Sequence, residues 1–214
     1  MYLPSHFQEI DPIVLRDAVR GLGPGELVTV GSQGLEASVV PLLIDDGSTL
    51  LTGHLARANQ QWKRADLSVP VLVIWRGPDA YISPSYYPSK REHGKVVPTW
   101  NYISVQARGT LTIHDDPTWV GQLVRSLTEW HEAQFETPWT VDDAPPEFIE
   151  TQLKAIVGIE IQITSLEGKW KLSQNRPESD IAGVISGLDQ RGPLTNEIKV
   201  AQAVAAASGV LTPT

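Results

Sequence analysis

Seven β-rich runs, each bounded by turn-forming residues, constrain this chain more than any other feature. ELVTVGS (26–32), LEASVVPLLI (35–44) and TLLTGH (49–54) come first, separated by Ser32-Gln33-Gly34 and Asp45-Asp46-Gly47-Ser48. Gly, Asn, Asp and Ser clusters of this kind supply reversals, so the three runs read as an antiparallel meander. VPVLVIW (69–75), AYIS (80–83), NYISVQARGTLTI (101–113) and IVGIEIQITSLEG (156–168) continue the pattern. Gly77-Pro78-Asp79 predicts a further turn between two of them. Seven strands favour a barrel or a strongly curled sheet, and the expected fold class is mainly β: an antiparallel β-barrel with peripheral helices.

The helices are expected where the period changes. Asp11-Pro12 reads as an N-cap followed by Pro at the first helical position, with Ile13, Leu15, Ala18 and Val19 forming a short apolar face before Gly21, Gly23 and Gly25 end it. Asp116-Pro117 opens a run to about Phe135 with Trp119, Leu123, Leu127 and Trp130 at helical spacing, and Pro145-Pro146 opens a shorter one to about Ala155. After Leu188, DQRGPLTN has linker composition, and EIKVAQAVAAAS favours a helix with only a weak apolar stripe. The organisation expected is one domain over 1–188 and a C-terminal tail over 189–214, docked on a partner subunit or loose.

Composition narrows the partners. With 41% hydrophobic and 20% charged residues the chain can bury an ordinary core, and no apolar run approaches the roughly 20 residues that span a bilayer. A formal net charge of -8 gives no general pull toward nucleic acid, so direct DNA binding is possible but unsupported by charge. The absence of cysteine removes disulfides, thiolate metal sites and Cys nucleophiles, and points to a cytoplasmic location. His6, His54, His93, His114 and His131 show no paired metal-ligand spacing, so no metal site is expected. There is no Gly-x-Ser-x-Gly elbow, dinucleotide fingerprint or Walker loop.

Three segments could carry chemistry, and each also has a purely structural reading. In LLTGHLARANQQW, Arg57 offers a planar fork of donors to a phosphate, with Thr52 and backbone N–H groups adding neutral donors. Alternatively, Gly53 permits a turn, His54 is a satisfied imidazole and Arg57 is ion-paired. In PTWNYISVQARG, Trp100 and Tyr102 share one strand face and Asn101 takes the other. That pattern suits a flat heterocycle read by an amide, or simple core filling. In LEGKWKLSQNRPE, Lys169, Lys171 and Arg176 lie among Trp170, Ser173, Gln174 and Asn175. The mixture fits a phosphate-bearing or oligonucleotide ligand, or a solvated strand end.

Taken in order, MYLPSHF, GHLARANQQW, GPDAYISPSYY, VPTWNYISV and LEGKWKLSQNR resemble the PaiB family, the FMN-binding negative transcriptional regulators. That resemblance runs from Met1 to about Leu188, and Gln60, Tyr86 and Gln106 depart from it where the family often has proline, tryptophan and histidine. It implies an FMN-binding split barrel related in fold to pyridoxamine phosphate oxidase, with FMN as cofactor at a homodimer interface. It further implies that the turn containing Gly53, His54, Ala56 and Arg57 holds the FMN phosphate, assisted by Thr52 and Asn59. Ser38, Val39, Val40 and Pro41 would run beside the isoalloxazine edge, Trp100 or Asn101 would face the ring, and Lys171, Gln174 and Arg176 would reach across the dimer. Tyr81, Ser83, Tyr86 and Tyr87 could line a pocket beside it; no acid–base pair stands out as catalytic. The functions in view are transcription regulation and, as an alternative, a small FMN-dependent oxidoreductase.

Overall fold

A computed structural model describes residues 1–190 and 196–209. In chain order the elements are β1 (Gln8–Glu9), α1 (Pro12–Leu22), β2 (Gly25–Gly31), β3 (Gly34–Val40), β4 (Leu42–Ile44), β5 (Leu50–Ala56) and α2 (Gln61–Arg64). They continue with β6 (Val71–Ile82), α3 (Ser89–Glu92), β7 (Thr99–His114), α4 (Pro117–Glu132), α5 (Pro146–Leu153), β8 (Ile156–Lys171), α6 (Glu178–Asp189) and α7 (Asn196–Ser208). Among the described residues the strands form one eight-stranded sheet in the order β3-β2-β6-β7-β8-β5-β4, with β1 paired to β8. The chain divides into two compact units: Met1–Asp11, Arg76–Val105 and Glu167–Thr214 form one, and Pro12–Trp75 with Gln106–Leu166 form the other.

In the unit built on 12–75 and 106–166, two hairpins carry the expected turns. β2 and β3 reverse at Ser32-Gln33, with Gly31 opposite Gly34 and Gly34 at φ 93°, a conformation that L side chains resist. β4 and β5 reverse at Asp45, whose carboxylate accepts from the backbone N–H groups of Gly47, Thr49 and Leu50 at 3.2, 2.7 and 2.6 Å. The expected three-strand meander is not what forms. Pro41 cannot donate to a ladder, and the run 35–44 divides there: β3 stays with β2, while β4 pairs with β5, which pairs in turn with β8. Alternation on β5 buries Leu51 and Leu55, and helical spacing on α4 buries Val120, Leu123 and Leu127. Each fully buried Leu or Ile contributes about 1.5–3 kcal/mol relative to exposure.

In the other unit, α6 and α7 share a core with the ends of β6 and β8. Ile82, Leu172, Val184, Ile185, Leu188, Val200 and Val204 belong to one buried cluster, with Tyr86 and Trp170 packed on it. The tail therefore does not wait for a partner subunit: α7 inserts Val200, Ala201 and Val204 into its own chain's core. Residues 191–195, where the linker composition lies, and 210–214 are outside the described residues.

Two more expectations change. Gly77-Pro78-Asp79 is not a turn but part of the continuous strand β6. The β2 register ends at Ile74, so on that side Pro78 forfeits no ladder bond. Strand β1 was not expected from sequence; its two residues pair with Lys169 and Gly168.

Candidate functional site

The candidate residues fall into two groups, one in each unit. The first lies around the end of β5. Beyond Ala56 the chain leaves the sheet, and the Arg57 N–H donates to the Ala155 carbonyl at 2.8 Å. Asn59 then ties the turn down: its amide donates to Ser38 Oγ at 2.8 Å, and its carbonyl oxygen accepts from the Gln61 N–H at 3.0 Å. Gln61 is buried and donates to the Leu27 and Glu36 carbonyls and to Thr29 Oγ1, each at 3.1 Å. Its role as the anchor of the turn escaped the sequence reading, because a glutamine before a tryptophan carries no local signature.

Arg57 is committed to protein partners. Its Nε donates to the Lys154 carbonyl at 2.7 Å, and Nη2 donates to the Ile156 carbonyl at 3.0 Å. Nη1 and Nη2 form a fork onto the two oxygens of Asp115 at 3.0 and 2.6 Å. The hydrogen bond from Arg57 holds the Asp115 carboxyl below the usual carboxylate range, and the same bond raises the guanidinium. Asp115 was missed in sequence: its neighbour Asp116 was legible as the α4 cap, bonding the N–H groups of Thr118 and Trp119, and the pair offered no sign of which carboxylate did what.

Thr52 and His54 alternate with the buried Leu51, Gly53 and Leu55, so both sit half-buried on the opposite face of β5. His54 Nδ1 is buried without a hydrogen-bond partner among the described residues, and burial lowers the imidazole below its ordinary value. Ser38 is half-buried, Val39 and Pro41 are exposed and Val40 is buried. Gly53 is set by packing, since a β-carbon there would lie 2.6 Å from the Pro41 carbonyl oxygen and 2.7 Å from Leu42 Cδ2.

The second group surrounds the start of β7 and the end of β8. Alternation sends Trp100 and Asn101 to opposite faces as expected, but Trp100 is the exposed member at 53% and Asn101 the buried one at 1%. Trp100 is therefore not core; its ring stands edge-on to Tyr81 at 6.0 Å. Asn101 donates to Ser173 Oγ at 2.9 Å. Ser173 holds a left-handed backbone at φ 69° and starts a turn closed by the Arg176 N–H on its carbonyl at 2.9 Å. Gln174 is spent on that turn, donating to the Trp170 carbonyl at 2.6 Å and accepting from the Leu172 N–H at 2.8 Å.

Lys171 donates to Thr99 Oγ1 at 2.6 Å and to the Trp100 carbonyl. Burial, then the neighbouring charges of Lys169 and Arg176, push its ammonium below the ordinary lysine value. Arg176 lies 4.8 Å from the centre of the Tyr87 ring. Thr99, Asn101, Lys171, Ser173, Asn175 and Arg176 line a cavity of about 170 Å³.

Residues 1–165 match the family model described as "Putative FMN-binding domain". The chain is 34% identical to Protease synthase and sporulation protein PAI 2 of Bacillus subtilis, covering 88% of this chain and 89% of that one. It is also 34% identical to Uncharacterized protein AN0679 of Emericella nidulans, over 90% and 92% of the two chains. This chain belongs to the PaiB-type FMN-binding family.

Solved structures agree at the level of fold. Conserved hypothetical protein Rv2991 of Mycobacterium tuberculosis superposes with a TM-score of 0.58 at 14% identity, covering 83% of this chain and 95% of that one. The flavocytochrome Anf3 of Azotobacter vinelandii superposes with a TM-score of 0.55 at 12% identity, over 82% and 75%. The fold is mainly β with peripheral helices, the antiparallel split barrel. Family membership brings FMN as the cofactor, and the donor set in hand fits its chemistry. FMN carries a phosphate that needs cations and a ring whose rim needs amide or backbone partners. Taken separately, the first group offers Thr52 and the Ser38–Pro41 strand as neutral groups beside an Arg57 already bound to Asp115, and the second offers Lys171 and Arg176 as cations beside the Asn101 amide. The half-buried His54 has a nitrogen that finds no hydrogen-bond partner among the described residues.

Proposed function

We propose that this PaiB-type protein is a cytoplasmic transcriptional regulator that binds FMN at the interface of a homodimer. The match to the FMN-binding family over 1–165, which contains every candidate residue except those on the KLSQNR segment, carries the reading. The 34% identity to a Bacillus subtilis protein named for protease synthase and sporulation supports the regulatory part. In this reading Arg57 with Thr52, Gly53, His54, Ala56 and Asn59 holds the phosphate end, and Ser38, Val39, Val40 and Pro41 run beside the flavin ring. Asn101, with Trp100 behind it on the other face of β7, and Lys171, Gln174 and Arg176 complete the site from the second protomer. Bound FMN supplies redox chemistry; the chain's own groups decide its orientation and what reaches it.

The second reading is a small flavin oxidoreductase of unidentified substrate. The net charge of -8 favours it, because an acidic chain gains little from the DNA backbone. An absorbance spectrum of the purified protein before and after adding FMN tests the shared claim: flavin bands should travel with the protein. A colourless protein that cannot be reconstituted would overturn both readings. Turnover with bleaching of the flavin by a nicotinamide donor would favour the enzyme. A salt-resistant mobility shift on DNA would favour the regulator.

A further inference from the structure

The turn after β8 gathers positive charge: among the described residues Lys169, Lys171 and Arg176 form no salt bridge. Lys169 and Lys171 are two apart on one strand and so share a face. Their ammonium groups lie 5.4 and 5.9 Å from the Tyr102 ring centre. Lys169 is 8% exposed, and its ammonium donates to the Tyr2 carbonyl at 3.0 Å. Lys171 spends its donors on a hydroxyl and a carbonyl. Arg176 rests over an aromatic face. Buried lysines are normally paired with a carboxylate, yet among the described residues none of those lining the adjoining cavity is acidic.

We propose that the cavity between Lys171 and Arg176 is a binding site for a phosphomonoester-type dianion. Like charges brought together without a counter-ion repel, and a bound dianion would turn that repulsion into attraction at both groups. Arg176 supplies a planar fork and Lys171 a point charge, the usual complement for phosphate oxygens. Asn101, Ser173 and Asn175 add neutral polar groups, and the cavity of about 170 Å³ exceeds the volume of one phosphate, leaving room for part of the molecule that bears it. The left-handed Ser173, at φ 69°, places strain at this turn, as ligand-binding loops often do. Burial first, and then the neighbouring charges of Lys169 and Arg176, lowers the Lys171 ammonium.

The phosphate could be that of FMN or that of a separate phosphorylated molecule, and the inference stands whether or not the flavin reading does. The test is calorimetric titration of inorganic phosphate into the full-length protein in chloride at physiological ionic strength. Arg176→Gln and Lys171→Gln are compared with the exposed control Arg91→Gln, and circular dichroism confirms that each is folded. Saturable binding is expected, weakened about tenfold or more by Arg176→Gln and unchanged in the control. If FMN is the source, phosphate competes with FMN, and Arg176→Gln weakens FMN but not riboflavin. If the source is separate, FMN-loaded protein still takes up phosphate. Absence of saturable phosphate binding, or binding that a folded Arg176→Gln protein retains in full, overturns the site while leaving FMN binding to its own titration. A protein that takes phosphate but no flavin overturns the flavin reading alone.

Discussion

Arg57 faces two claims on one guanidinium. Four of its N–H groups already serve Asp115 and the Lys154 and Ile156 carbonyls, so a phosphate at this turn would compete with the Asp115 carboxylate. If Arg57 holds FMN, Arg57→Ala should weaken it roughly tenfold to a hundredfold, and Asp115→Asn should strengthen it by removing the competing charge. If Arg57 only clamps the end of β5 to the start of β8, Asp115→Asn leaves FMN affinity unchanged; fluorescence titration separates the two. His54 gives a pH prediction. Its folded value lies below the ordinary 6.5, so on acidification the unfolded chain takes the proton first. Its contribution to stability is complete above pH 6.5 and is lost as pH falls through the folded value. Urea midpoints at pH 7.5 and 5 should differ less in His54→Gln than in the parent; equal differences would contradict the assignment.

At the level of elements, the strongest local signals in the sequence correspond to real boundaries. Asp116-Pro117 starts α4 and caps it at 3.1 and 3.3 Å, and Asp116→Ala should cost about 0.5–2 kcal/mol in urea unfolding. Gly109 on β7 is a packing requirement: a β-carbon there would overlap the Gln162 carbonyl on β8, and Gly109→Ala should destabilise by about 1–3 kcal/mol. Alternation and turn residues therefore made most strands legible. What stayed hidden was non-local. Gly77-Pro78-Asp79 looks like a turn in isolation and becomes strand because β2 releases that side of β6 after Ile74. Pro41 marks a change of partner that no short window reveals. The tail's Ala-rich helix has a weak stripe, yet Val200, Ala201 and Val204 suffice because α6 presents Ile181, Val184, Ile185 and Leu188 to the same cluster. The candidate site was legible in part for the same reason. Arg57, Asn101 and Lys171 stood out by type, whereas Asp115 and Gln61, which hold the first group in place, are recognisable only once the strands have paired.

For the whole molecule, the family sets the cofactor and the charge sets the partners. A chain with net charge -8 that contacts DNA must do so through a local basic surface, so any shift seen at low salt should vanish near physiological salt unless the contact is specific. Val39 and Leu35 on β3 are 69% and 74% exposed, apolar surface of the kind that association covers. Light scattering should therefore return twice the 23.4 kDa chain mass, and a mass that stays at one chain would remove the shared-site arrangement. Every other assignment presupposes FMN binding, which an FMN titration of the purified protein followed by flavin fluorescence checks. Saturation is expected at one FMN per chain, with weaker binding in Arg57→Ala; a folded protein whose addition leaves free-FMN fluorescence unchanged does not bind FMN.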